Sequence, residues 1–353
     1  MDTSESKYFS QYFILRYTQE YIDDVVAATD TFFAGHPEYA NIIEHYVFVF
    51  HNILDLIPAT VDNFWSGHLF PYTEAEYELH SSVYFATRGF YKHALNSLRS
   101  VLELGLLSVY WDIEDKSHIE IQEWLHSKED TPFRKKVKKR LLENKNIKRF
   151  DDEGGFFAQL DDVYNKLSSF THTKGAQYSS RALTISNVNT FNERSLKYWV
   201  QSLQEVIRLV MILHILKYPV AYQYTPIEDK FGLNGPTGGF WKPQQVERVK
   251  ALFDEETNAL LQTISDADPE AIERAQWVQG FPDITEEEFD QQTIDFDKQL
   301  IPHYKGGFPK WLEQEKKALD IYDQHNSPEA KARHEKRIAF LTQWAIEEGL
   351  AQP

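Results

Sequence analysis

The sequence predicts an all-α protein. Three observations carry the prediction. Apolar residues recur at spacings of three and four along most of the chain, residues 104–111 are apolar on every side, and no block alternates with the period of two that strands require. A helix that is hydrophobic all round belongs inside a protein. Residues 90–111 are therefore the expected centre of a bundle.

Taken in order, residues 6–33 and 38–56 read as an N-terminal helical pair, with Phe9, Phe13, Tyr17, Tyr21 and Val25 on one stripe and His36-Pro37 as the break. Thr73 to Glu76 forms a T-x-x-E capping box, which predicts a helix from about Glu74 to Arg88. Gly89 permits a tight turn into the central helix, antiparallel to the one before it. A short helix is expected over 119–126. Pro132 opens a single basic helix, FRKKVKKRLLENKNIKRF, and Phe156 to Ser169 forms an amphipathic one. Residues 176–189 read as extended or irregular. A second box, Thr190 to Glu193, starts the helix Arg194–Tyr218, which Pro219 stops.

After about residue 222 the composition changes. The stretch 231–241 holds four of the fifteen glycines, and helices expected at 243–264, 269–278, 284–299, 308–325 and 328–349 are strongly charged. The domains read as N-terminal helices packed on the core (1–64), a helical bundle (65–222) and a charged helical extension (223–353) outside the first core.

Composition narrows the function. The chain has no cysteine, so disulfides and thiolate metal sites are excluded, and a reducing cytoplasm is the expected compartment. No signal peptide and no membrane span are expected. A net charge of −17 disfavours a general nucleic-acid coat, although residues 131–149 carry nine Lys or Arg against Glu143 alone. That island reads either as a grip on an RNA or DNA backbone or as a solvated face balancing an acidic neighbour. No HExxH is present, Glu123 to His126 is a lone E-x-x-H, and the glycine stretch lacks the Lys-Ser/Thr of a phosphate loop; no metal and no cofactor are expected.

Two constellations could carry chemistry. On the central helix His93, Asn96, Arg99, Ser100 and Glu103 share one stripe, and Arg99 and Glu103 are one turn apart. With Ser168, Ser169, His172 and Lys174 of the segment LSSFTHTKG they would form a polar pocket. In that pocket His172 acts as acid or base and Arg99 binds an anion, with Asn96, Ser168, Ser169 and Lys174 as ligand contacts. The structural alternative is a clamp in which a buried Arg99–Glu103 pair holds the bundle; removing either partner would then cost about 3–5 kcal/mol. The second constellation is Arg88 to His93, an R-x4-H spacing. In one continuous helix these residues diverge by about 140°, but across the Gly89 turn they could converge on a phosphate.

The order of these motifs resembles a family. A turn followed by ALNSLRSVLE (94–103), then LDDVYNKLSSFTHTKG (160–175), then a long apolar helix ending Tyr218-Pro219, is similar to HEPN-like bacterial helical proteins, in the branch with an L-R-x-x-x-E helix and an L-S-x-x-x-H segment. The resemblance covers about residues 65–222. It implies an antiparallel bundle, a homodimer, a place in a bacterial defence or stress system, and in active members R-x4–6-H ribonuclease chemistry. The late helix here opens TFNERSLKY and has no His at that spacing from Arg194. Three readings follow: an intracellular binding module, a metal-independent ribonuclease acting on RNA through Arg88/His93 or Arg99/His172, and a small-molecule enzyme, on a nucleotide for example, using His172 and Arg99.

Overall fold

The computed structural model describes residues 18–58, 67–113, 118–184, 189–324 and 328–352. Among them every regular element is helical. Phe9, Phe13 and Tyr17 of the first expected helix lie outside the described residues, as do 114–117 and 185–188. The chain forms two compact units: one takes 18–225 and 237–276, the other 226–236 and 277–352.

The first unit is built on α1 (Gln19–Gly35), α2 (Pro37–His51), α3 (Phe70–Ala86), α4 (Tyr91–Trp111), α5 (Ile119–Leu125), α6 (Arg134–Leu141), α7 (Lys145–Gly154), α8 (Phe156–Thr171) and α9 (Glu193–Lys217). Helices α3 and α4 form the expected hairpin. Gly89 sits at φ +76°, where a side chain is strained, and a Cβ there would meet the Thr190 backbone at 2.8 Å. The amide of Gly89 bonds Ala86 O and that of Phe90 reaches back to Phe85 O, which satisfies the last carbonyls of α3.

Helix α4 then runs antiparallel to α8 and parallel to α9. The pairs Arg99–Tyr164 and Asn96–Thr171 give the first direction; Tyr91–Asn192 and His214–Ser108 give the second. Gly105 explains how closely α4 and α9 approach, since a Cβ there would lie 2.7 Å from both Val210 methyls. At the α3–α9 contact, the buried Trp199 indole donates to Ser82 Oγ (2.9 Å), which donates to Ala94 O. Helix α9 is long and apolar enough to cross a membrane, and 78% of its most apolar window is buried inside the bundle.

Three local expectations are corrected. Helix α3 starts at Phe70 with Pro71 in its first turn, and Thr73 donates back to Leu69 O instead of capping. The cap of α9 is Asn192, whose side chain accepts from Ser195 N, not Thr190. The basic segment is two helices, because Asn144 accepts from the amides of Asn146 and Ile147 and so caps α7 in mid-run.

The expected boundary near residue 222 is also redrawn. Helices α10 (Pro243–Lys250) and α11 (Glu255–Ala267), with the first part of α12 (Pro269–Gln279), belong to the first unit. Their charged faces conceal an apolar stripe: Val246, Val249, Leu252, Leu261 and Ile264 join the main core, as does Trp241, whose indole donates to Asn52 O at 2.7 Å. The second unit contains α13 (Glu286–Leu300), α14 (Gly307–Gln324) and α15 (Pro328–Glu347) around Ile301, Phe308, Trp311, Leu341 and Ala345.

Candidate functional site

Helical spacing alone places Arg99 beside Glu103, and the pair forms, with Nη2–Oε1 at 2.9 Å. Arg99 Nη2 also donates to Tyr164 Oη on α8 (3.1 Å). Burial lowers the guanidinium pKa, but the Glu103 charge and its hydrogen bond, with Tyr164, outweigh it and leave the value raised. Sequestration is where the expectation fails. The Arg99 side chain is 18% exposed and that of Glu103 is 40% exposed, so the carboxylate lies on a rim and not inside the bundle. Tyr164 of α8 covers Arg99, and Glu103 stands with Tyr164 in the lining of an open cleft.

That rim borders a cleft of about 420 Å³ in the first unit. Leu104, Leu106, Leu107 and Val137 form its apolar base, and Phe70 and Trp124 its aromatic wall. The polar lining is Glu74 and Glu78 from α3, Ser100 and Glu103 from α4, Thr131, Arg134 and Tyr164. The wall is held by its own contacts. Trp124 lies 5.8 Å from the Trp111 ring and 5.9 Å from Phe70, and its indole donates to Thr131 Oγ1. Arg140 grips Glu120 with both terminal nitrogens (2.6 and 3.0 Å), which ties α6 to α5. Arg134 is engaged as well: it pairs with Asp161 at 3.2 Å and lies 4.4 Å over the Tyr164 ring. Glu74 and Glu78 have no ion pair among the described residues.

His172 is not in this site. Helix α8 ends at Thr171, and it is Thr171 that turns inward and donates to Asn96 Oδ1 at 3.0 Å. His172 follows as the cap and is exposed, as is Lys174. The inward place at the end of α8 holds one small hydroxyl, so the imidazole is left in water. Ser168 and Ser169 are buried; Ser169 donates to Asn165 O, and Ser168 Oγ has no hydrogen-bond partner among the described residues.

Arg88 and His93 do not converge either. The Gly89 turn forms, but Arg88 folds back along α3, 3.8 Å over the Tyr84 ring and 3.2 Å from Thr87 Oγ1. His93 is exposed and lies against the rings of Phe85 and Phe90, 5.8 and 6.1 Å away. In the basic island Lys138 reaches Asp161, Lys145 reaches Asp268, and Lys148 and Arg149 pair along their own helix; Lys135, Lys136 and Lys139 have no ion pair among the described residues.

Sequence reasoning missed a second charged group, at the far end of α4. Asp112 accepts from Tyr218 Oη (2.5 Å) and lies 3.1 Å from Lys217 Nζ and 3.3 Å from Nε2 of the fully buried His68. One turn away the fully buried His214 places Nδ1 2.8 Å from Val210 O and Nε2 3.2 Å from Ser108 Oγ; burial holds its pKa down at about 4. No local spacing announces this group, because the partners of Asp112 lie 44 to 106 positions from it. Glu74 and Glu78, by contrast, left an i,i+4 signal that the apparent capping box obscured.

The chain matches no protein-family model, no curated protein and no solved structure.

Proposed function

We propose that the protein is a helical binding module whose site is the cleft beside Arg99. One observation carries the reading: an open cleft of ligand size whose base is aliphatic, whose wall is aromatic, and whose rim keeps two carboxylates without an ion pair among the described residues. Such a lining binds through apolar contact and orients through a few polar groups. The arginines that would hold an anionic substrate are already engaged, Arg99 by Glu103 and Arg134 by Asp161.

The HEPN-like resemblance, the homodimer, the cytoplasmic location and a role in a defence or stress system stay part of this proposal. The antiparallel α3–α4 hairpin followed by α8 and α9 supports the first of them. The homodimer is tested by light scattering over a wide concentration range, where a monomer throughout removes it.

A neutral, polarity-sensitive dye such as Nile red tests the cleft. Its fluorescence should rise on binding the full chain, and Leu104→Trp, which fills the cleft, should abolish the rise while leaving the circular dichroism unchanged. An unaltered signal in that variant would place the dye elsewhere and end the reading. RNA cleavage by the purified protein in EDTA, abolished by His93→Ala or His172→Ala, would replace it with the ribonuclease.

A further inference from the structure

The cleft's charge and the surface around its mouth identify the class of occupant, on the premise that the cleft is the binding site. The fixed charges of the lining do not cancel. Arg134 is neutralised by Asp161 and Arg99 by Glu103, which leaves Glu74 and Glu78 as uncompensated negative charge over an apolar base. A ligand that fits must bring aliphatic or aromatic groups to the base and positive charge to the rim.

The mouth is too extended for a small ligand to cover. Phe133, between the cleft-lining Pro132 and Arg134, is 86% exposed. On α3 the stripe continues past the cleft: Phe70, Glu74, Tyr77 and Glu78 fall on one face, and both aromatics are exposed. Phe70 and Tyr77 are two turns apart, about 10 Å along the helix axis. Exposed aromatics in such a row, alternating with carboxylates that have no ion pair among the described residues, make a strip that a helix can follow with anchors at i, i+3/i+4 and i+7.

We infer that the cleft and the outer face of α3 receive a cationic amphipathic helix of a partner protein, its apolar side against Leu104, Leu107 and Trp124 and its Lys or Arg residues against Glu74 and Glu78. Desolvation of the apolar side supplies affinity, and the carboxylates select sign and orientation.

The test is fluorescence anisotropy on the full chain with a labelled Leu/Lys amphipathic peptide of about four helical turns and its Leu/Glu counterpart. The Leu/Lys peptide should bind, more weakly as salt rises, and the Leu/Glu peptide should not. Glu74→Lys with Glu78→Lys should weaken binding about tenfold or more, whereas Glu347→Lys with Glu348→Lys, an equal change in net charge on the exposed end of α15, should change it less than about twofold. Equal losses in the two double variants would reduce the effect to bulk charge and overturn the inference. Self-association that disappears with the α3 double variant would assign the cleft to a second copy and also overturn it. If Nile red enters the cleft while the peptide does not bind, the inference alone fails; if Leu104→Trp leaves both signals intact, the underlying reading fails with it.

Discussion

Helix α4 carries two charged groups, one in its middle and one at its end, and they differ in almost every physical respect. Arg99 and Glu103 are neighbours on the same helix, held by local spacing, and the carboxylate stands partly in water. Asp112 draws His68, Lys217 and Tyr218 from distant parts of the chain, and the imidazole facing it is fully buried. A pair closed by local i,i+4 spacing, with its carboxylate 40% exposed, gives up little hydration on folding and so adds little to the folded state. A group gathered from distant segments exists only in the folded state, and with Asp112 17% and Lys217 22% exposed it is shielded enough that losing the shared carboxylate is felt by every member. The conspicuous pair is thus a feature of the cleft's rim, and the hidden one holds the ends of α4 and α9 together.

The largest test of this contrast is Asp112→Ala. It removes the acceptor that Tyr218, Lys217 and His68 share and should cost about 3 kcal/mol in urea unfolding; a loss under about 1 kcal/mol would mean that the group does not join the two helix ends.

Acid should then find the same end of the bundle through His214. Its folded pKa of about 4 lies below the ordinary 6.5, so the unfolded chain takes up a proton that the folded one refuses. Stability from this group is whole above pH 6.5 and is lost as pH falls towards 4, by about 3 kcal/mol in all. His214→Gln keeps a donor for Val210 O and an acceptor for Ser108, and it should lose much less stability than the wild type over that interval. Parallel pH–stability curves for the two proteins would remove His214 as the cause.

The smallest effect is expected at the conspicuous pair. Arg99→Ala or Glu103→Ala should each cost about 1 kcal/mol or less, well short of the 3–5 kcal/mol expected of a sequestered couple. A loss in the larger range would restore the buried clamp and erase the contrast.

Much of the fold was legible because helices announce themselves locally. The ranges of α4, α8 and α9, the Gly89 turn and the three C-terminal helices of the second unit follow from apolar period and punctuation. Caps were less legible: Thr73 and Thr190 have the right neighbours for a box, but a start at Phe70 and the better-placed Asn192 displaced them. The unit boundary was misread because α10 and α11 wear charge outside, while Val249 and Leu261 are fully inside. Of the candidate site, Arg99 and Glu103 were found with their mutual contact, and Asn96 was found with Thr171 in the place expected of His172.

By itself the sequence determined that the chain is helical, where the central helices α4, α8 and α9 run, that Arg99 and Glu103 meet, and that no thiol chemistry is present. Those properties follow from a period of 3.6 residues and from composition, which act within a few positions. Only the tertiary structure decided that Glu103 faces a cleft, that His172 faces water, that Asp112 gathers partners up to 106 positions away, and that residues 243–276 belong to the main core. Each of those depends on which side chain takes a limited interior volume once the helices pack, and that competition is settled between distant segments and leaves no local mark.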